Sequence, residues 1–237
     1  MKMKRSEKLG MFTGLVVGVL LLLISVFMIF QTTCKVWGAE KPANATQQGI
    51  DVSSHQGKID WEQVKNSALA DYAIIRCGYG VNQTDKDDKY WDYNSSECER
   101  LGIPYGTYLY SGADTTAKAK SEAEHVVRLL QGKNLTYPIY YDMEADMLNQ
   151  LSSTQIGNIA KTFLNTMESY GYKNVAVYSN KYLFETKLTA SVFSDYPKWI
   201  AQHSNKCTYQ GSYHMWQYST QGVIPGISEK VDLNYKI

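Results

Sequence analysis

Residues 137–146 read YPIYYDMEAD, and this stretch indicates both the fold and the position of a functional site. Its first five residues are mainly aromatic and β-branched, which is typical of a short buried strand. Asp142 and Glu144 follow at the end of that strand. Burial of two carboxyl groups raises the pKa of at least one of them, and their like charges raise it further. A carboxylic acid that keeps its proton near neutral pH is the donor that glycoside cleavage needs. The alternative interpretation is that both acids are loop residues that cap the next helix.

Similar apolar runs recur along the chain and predict strands at 49–52, 72–77, 104–110, 137–142, 174–179, 198–201, 213–217 and 230–232. Helical patterns at 61–70, 90–101, 115–131 and 153–170 lie between them, with Asp60 as a predicted N-cap. Alternating strands and helices favour a parallel α/β sheet. Eight strands in about 190 residues predict a compact, irregular (β/α) barrel of the TIM-barrel type, with shortened crossovers after the fifth strand.

Functional residues of such a barrel lie at the carboxyl ends of its strands, where we expect four acids to converge. These catalytic candidates are Asp51, Asp142, Glu144 and Asp232, the last placed at the end of the eighth strand. Aromatic side chains near strand ends are expected to line a sugar groove, and the candidates are Tyr140, Trp216, Tyr110 and Tyr79. Trp61 and Trp199 are predicted to be core residues, and His125 is predicted to lie on the surface.

The N-terminal part of the chain predicts a membrane anchor. Residues 1–9 are a basic tail, and residues 10–30 form an uncharged apolar run long enough to span a bilayer. The basic flank places the N-terminus in the cytoplasm and the rest of the chain outside. Residues 31–48 read as a polar stalk, and 49–237 as the folded domain. The alternative is a cleaved signal peptide and a secreted protein.

Charge and cysteine content exclude some functions. Six Lys/Arg and two Glu precede residue 47, so 18 basic and 21 acidic residues remain, and the net charge of the outer part is about −3. Nucleic acid binding, which requires a basic surface, is therefore not expected. No cofactor or metal is expected either, since ligand spacing typical of a metal site is missing. Disulfide pairing of Cys34, Cys77, Cys98 and Cys207 is left open, with Cys77 and Cys98 the easiest pair to join.

Six segments together resemble the glycoside hydrolase family 25 lysozymes, or N-acetylmuramidases. They are GIDVSSHQGKIDW (49–61), AIIRCGYG (73–80), GIPYGTYLYS (102–111), PIYYDMEA (138–145), KWIAQ (198–202) and HMWQYSTQGVIPGISEKVDLN (214–234). The resemblance covers nearly the whole outer domain, with the motifs in the family's order. It implies a flattened, irregular barrel and cleavage of the β-1,4 bond between N-acetylmuramic acid and N-acetylglucosamine in peptidoglycan.

The resemblance also implies residue roles. Glu144 matches the family's general acid, Asp142 matches the residue that assists the substrate's 2-acetamido group, and Asp51 and Asp232 match two further acids of the site. Retention and inversion of stereochemistry both stay open. The expected partners are peptidoglycan strands and the bacterial cytoplasmic membrane, with a secretion or conjugation apparatus as a further possibility in local wall remodelling. The alternatives are a non-catalytic peptidoglycan-binding scaffold and a hydrolase of another N-acetylhexosamine polymer.

Overall fold

The computed structural model describes residues 39–237, so the predicted basic tail, the predicted membrane span and residues 31–38 of the predicted stalk lie outside the described residues. Within residues 39–237, no helix combines the length and apolar character needed to span a bilayer. The strands of this part are β1 (Gln47–Val52), β2 (Tyr72–Tyr79), β3 (Tyr105–Tyr110), β4 (Ile139–Asp142), β5 (Val175–Asn180), β6 (Lys198–Ala201), β7 (Met215–Gly222) and β8 (Val231–Lys236). The helices are α1 (Trp61–Ser67), α2 (Trp91–Leu101), α3 (Thr116–Leu129), α4 (Ser153–Ser169), α5 (Lys181–Thr186) and α6 (Val192–Asp195).

The strands close into one barrel in sequence order, which confirms the predicted eight-stranded α/β barrel. Neighbours from β1 to β7 are parallel, whereas β8 is antiparallel to both β7 and β1. A parallel connection needs a crossover of a dozen or more residues. Only residues 223–230 join β7 to β8, so the chain must turn back as a hairpin. The prediction that Asp232 ends its strand is therefore wrong, because Asp232 lies at the start of β8.

Side-chain caps explain where α1 and α4 begin. The Asp60 carboxylate accepts a hydrogen bond from the Gln63 N–H (3.1 Å), which starts α1 at Trp61 and confirms the predicted cap. Ser152 and Gln155 form a reciprocal capping box at the start of α4. After β5 the helices shorten to the six residues of α5 and the four of α6. This confirms the expected shortening of the later crossovers.

Aromatic rings fill much of the barrel interior. Trp199 is at its centre, with ring centroids 4.4 Å from Tyr178 and 4.9 Å from Tyr140. The surrounding buried residues of this cluster are Tyr72, Ile74, Tyr137, Ala176, Ala201 and Met215. Stacked and edge-to-face rings of this kind bury large areas and add specific packing energy. Part of the chain's high tyrosine content therefore serves the core.

The prediction that His125 is a surface residue is wrong, because this side chain is fully buried on α3. Its Nε2 lies 2.7 Å from Asp87 Oδ1 and its Nδ1 lies 3.0 Å from the Gly80 carbonyl oxygen. His125 thus ties α3 to the loop that follows β2.

The thiols of Cys77 and Cys98 are both buried and free, so the pair that looked easiest to join forms no disulfide. Burial raises the pKa of Cys77 to about 12, which favours the neutral thiol. Cys207 is also free, and Cys34 lies outside the described residues.

Candidate active site

Four acids meet at the barrel mouth, where the parallel strands end. Asp51 is the fifth residue of β1, Asp142 ends β4, and Glu144 follows two residues later. Asp232 reaches the same face because β8 runs in the opposite direction, and it pairs in register with Asp51. These acids line one cavity of about 60 Å³, together with Tyr108, Tyr178, Trp199 and Gln217.

The backbone at Met143 holds Asp142 and Glu144 at the mouth. The Met143 N–H donates to the Tyr178 carbonyl oxygen (2.9 Å), and the Met143 carbonyl accepts from the Ser179 hydroxyl (2.5 Å). Both bonds attach this peptide to β5, and the Met143 side chain is fully buried. The two carboxyl groups on either side of Met143 are therefore presented from a fixed backbone.

Asp51 and Asp232 form a carboxyl pair that side-chain amides support. The Asn234 amide donates to Asp51 Oδ2 (2.8 Å), and Gln217 Nε2 donates to Asp51 Oδ2 (3.0 Å) and Asp232 Oδ2 (3.2 Å). Burial and then the charge of Asp232 raise the pKa of Asp51 to about 8. Burial and then the charge of Glu144 raise the pKa of Asp232 to about 6. Two adjacent carboxyls with raised pKa values, one buried and one partly buried, titrate as a pair.

The pKa values of Asp142 and Glu144 are raised as well. For Asp142 the causes are burial, then the charges of Glu144 and Asp51, and Arg76 opposes them. For Glu144 the causes are burial and then Asp51, and the nearby Tyr178 hydroxyl opposes them. A raised pKa keeps a carboxylic acid protonated in the range where general acid catalysis operates.

One buried carboxyl oxygen of the site lacks a partner. Asp142 Oδ1 is buried and accepts no hydrogen bond from any group of residues 39–237. A buried acceptor without a donor is costly unless a bound molecule supplies one. This oxygen is therefore available to a donor group of a ligand.

Arg76 supplies positive charge beside the acids, although sequence reasoning did not select it. Its Nε donates to Asp88 Oδ2 (2.8 Å), and a terminal nitrogen donates to the Ser54 hydroxyl (2.9 Å). Asp88 is buried and also accepts from the Ser54 and Tyr90 backbone N–H groups (2.9 Å each). The sequence feature that could have predicted this role is an arginine near the end of the apolar run AIIRCGYG, because a buried arginine requires a counter-charge.

Among the aromatic candidates, Tyr110 and Tyr79 lie at the mouth. Tyr110 is half-buried and pairs in register with Asp142, and burial, Asp142 and Glu144 raise its pKa. Tyr79 pairs in register with Tyr110 and is 38 % exposed. These two residues are thus neighbours across β2 and β3, and Tyr110 is the one that adjoins the acid cluster.

The structure does not bring Tyr140 and Trp216 to the cavity: neither side chain lines it, and both are fully buried. Tyr140 lies inside the barrel two residues before Asp142, and its hydroxyl is 2.8 Å from His214 Nε2. Trp216 packs near Tyr218 and Tyr235, and its Nε1 donates to the Gln202 carbonyl oxygen (2.8 Å).

Sequence reasoning missed Tyr108, Tyr178 and Gln217, and it assigned Trp199 to the core only. Trp199 is 1 % exposed, and it both packs in the barrel and forms the wall of the cavity. Its Nε1 donates to Asn234 Oδ1 (2.8 Å), which holds the Asn234 amide in place against Asp51. The usable signal was strand periodicity, because Tyr108 lies two residues before Tyr110 near a strand end.

In the part of the chain that the structure describes, no group of three His, Cys, Asp or Glu side chains has the arrangement of a metal site. The donors around the acid cluster are instead amides, a guanidinium and a phenol.

The sequence and the fold of this chain are similar to those of known proteins. The family model for glycosyl hydrolases family 25 matches residues 50–227. The autolytic lysozyme of Clostridium acetobutylicum is 30 % identical over 188 residues, which cover 79 % of this chain and 55 % of the lysozyme. The modular autolysin LytC of Streptococcus pneumoniae superposes with a TM-score of 0.74 at 33 % identity, over 81 % of this chain and 46 % of LytC. LytC in complex with a synthetic peptidoglycan ligand superposes with a TM-score of 0.73 at 32 % identity, with the same shares of each chain covered. This chain thus spans about half the length of these relatives.

Proposed function

The chain belongs to glycosyl hydrolases family 25, whose members cleave glycosidic bonds, and on that premise we propose that it is a peptidoglycan muramidase. Its reaction is hydrolysis of the β-1,4 bond between N-acetylmuramic acid and N-acetylglucosamine. The observation that carries the proposal is the convergence of Asp51, Asp142, Glu144 and Asp232 on one cavity at the barrel mouth. The similarity to an autolytic lysozyme, and to an autolysin studied with a peptidoglycan ligand, supports the substrate class.

Glu144 acts as the general acid. Burial and the neighbouring Asp51 raise its pKa, so the carboxyl group retains a proton to give to the leaving glycosidic oxygen. The bond breaks with oxocarbenium character at the anomeric carbon. Negative charge on the carboxyl pair of Asp51 and Asp232 then stabilises the positive charge that develops at the anomeric carbon. The proton and the stabilising charge thus come from different members of one coupled cluster.

Asp142 assists the 2-acetamido group of the substrate. Its unpartnered Oδ1 is a buried acceptor, and an acetamido N–H is a donor of matching chemistry. Such a bond orients the acetamido oxygen and increases its electron density. Arg76 limits how far the pKa of Asp142 rises and so favours the accepting form. Tyr110 and Tyr79 are the proposed sugar-contacting side chains at the rim.

Location and biological role follow from the predicted span at residues 10–30. We propose that this span tethers the enzyme to the bacterial cytoplasmic membrane with the barrel outside. The enzyme then acts on the wall layer nearest the membrane, in local remodelling that clears a path for a secretion or conjugation apparatus. A secreted form after signal cleavage is the alternative outcome.

The test uses the purified full chain with purified peptidoglycan, and mass analysis of the released fragments. Muramic acid at the new reducing ends is the expected result. Glu144→Gln should lower the rate by about 10²–10⁴-fold, because the amide cannot donate a proton of suitable acidity. Glu124→Gln is the matched control, since Glu124 lies on α3 in a loose ion pair with Lys120 (3.9 Å).

Three outcomes would contradict the proposal. Binding of peptidoglycan without fragment release indicates a scaffold. Cleavage confined to chitin-like polymers indicates a different N-acetylhexosamine substrate. Near-normal turnover by folded Glu144→Gln removes Glu144 from the role of general acid.

A further inference from the structure

Gln217 occupies the centre of the acid cluster on β7, with a side chain that is 2 % exposed. Its Nε2 lies 3.0 Å from Asp51 Oδ2 and 3.2 Å from Asp232 Oδ2. Its Oε1 lies 3.0 Å from the Tyr178 hydroxyl and 2.9 Å from His203 Nε2. One amide therefore connects the carboxyl pair on one side with Tyr178 on the other.

These partners determine the orientation of the amide. The Nε2 group has two N–H donors, and it faces two carboxyl oxygens. Oε1 faces the Tyr178 hydroxyl, which donates to it. The reversed orientation would place an amide oxygen against both carboxyl groups and lose both donations, so the observed arrangement is strongly preferred.

Building on the proposed role of Glu144 as the general acid, we propose that Gln217 is a positioning residue that keeps negative charge on the carboxyl pair of Asp51 and Asp232 and thereby keeps the proton on Glu144. The proposal concerns a residue that acts through its neighbours.

Two contributions of Gln217 act in the same direction. First, donation to Asp51 and Asp232 stabilises their ionised form, and negative charge on the pair disfavours ionisation of Glu144. Second, Gln217 accepts the single hydroxyl proton of Tyr178. That proton would otherwise be donated to the Glu144 carboxylate and would favour loss of the Glu144 proton. Removing the amide reverses both contributions, so Glu144 should become more acidic.

The other ionisable side chains around Glu144 are all retained in this comparison. They come from every element packed around the site: Asp51 (β1), Arg76 (β2), Tyr110 (β3), Asp142 (β4), Tyr178 (β5), His203 (the loop after β6) and Asp232 (β8). Substitution at Gln217 removes none of these side chains, so a shift in the titration of Glu144 reports the loss of the amide and its effect on the charge of Asp51 and Asp232.

The experiment measures the pKa of Glu144 by carboxyl ¹³C NMR titration of the full chain, with the signal assigned by its absence in Glu144→Gln. Gln217→Met fills a similar volume without hydrogen bonds, and it should lower the pKa of Glu144 by about half to one unit. The alkaline limb of the pH–rate profile should move to lower pH by the same amount. Gln131→Met is the matched control, because Gln131 is an exposed residue just beyond the end of α3, where its Nε2 donates to the Val127 carbonyl oxygen. It should leave the titration unchanged.

Gln217→Leu is a second variant that also lacks hydrogen-bonding groups and adds no charge. It should lower the pKa of Glu144 in the same direction as Gln217→Met, and it decides the question if Gln217→Met does not fold. A merely structural role would lower the melting temperature and leave the titration of Glu144 unchanged in every variant that folds, which would overturn the inference. The NMR titration does not depend on enzymatic activity, so it tests this inference separately from the muramidase proposal. The muramidase proposal fails only if folded Glu144→Gln stays active or if no muramic acid appears at the new reducing ends.

Discussion

Asp88→Asn is expected to destabilise the barrel strongly, although it removes no apolar contact. Asp88 is buried and accepts three hydrogen bonds, from the guanidinium of Arg76 and from the backbone N–H groups of Ser54 and Tyr90. Asparagine keeps the shape, but its NH₂ group must face at least one of these N–H donors. The substitution also removes the negative charge opposite Arg76, whose side chain is only 14 % exposed.

The magnitude follows from these contacts. One lost backbone hydrogen bond costs about 1 kcal/mol, and one lost charge-assisted bond costs about 1.5–3 kcal/mol. Breaking a buried ion pair from one side costs about 3–5 kcal/mol because the remaining charge is unpaired. Arg76 keeps its bond to the Ser54 hydroxyl, so the lower part of that range applies. We expect a loss of about 3 kcal/mol, which corresponds to about 6–12 °C in melting temperature for a domain of this size.

Thermal and urea unfolding followed by circular dichroism provide the measurement. Asp85→Asn is the matched control, because the Asp85 side chain is 72 % exposed and its nearest cation, on Lys86, is 3.9 Å away. This control should stay within about 0.5 kcal/mol of the parent chain. Equal stability of Asp88→Asn and Asp85→Asn would refute the reasoning that Asp88 is the essential counter-charge of Arg76.

Three further predictions concern pH, metals and the membrane. Burial raises the folded-state pKa of Asp51 to about 8, so the stability that Asp51 contributes is fully present below its ordinary pKa of 3.8 and is lost as the pH rises toward 8. Asp51→Asn should therefore show a shallower decline of melting temperature between pH 5 and pH 8. An unchanged slope of melting temperature against pH would refute this. Wall hydrolysis should be insensitive to EDTA, and activity that is lost with EDTA and regained with added Ca²⁺ or Mg²⁺ would contradict that expectation. The full chain should fractionate with membranes, and a truncated chain that starts at Thr46 should be soluble and active. Mature protein in the medium with an N-terminus at 39–46 would instead show that the span is a cleaved signal peptide.

The amino-acid sequence by itself determined the strands, the main helices and the location of the acids. The run at Ile139–Asp142 is short and apolar, and the Asp60 and Ser152 caps have local partners three residues away. Such features depend on nearest neighbours along the chain and are readable without a fold. The direction of β8 was not predicted, because the strands predicted at 213–217 and 230–232 leave twelve residues between them, whereas the structure leaves only residues 223–230.

Tertiary structure alone decided how deep in the barrel a side chain lies and which groups surround it. Strand periodicity tells which residues share a face, so Tyr140 and Asp142 both point inward, but it does not tell that Tyr140 lies beneath the cavity. Gln217 and Asp51 are 166 residues apart, and they meet only because β8 closes the barrel between β7 and β1. The pKa values of the acids depend on that closure, since burial and the charges of neighbouring strands are their main causes. Sequence therefore specified the reactive groups, and the closed barrel set their protonation, because electrostatic coupling acts through space and not along the chain.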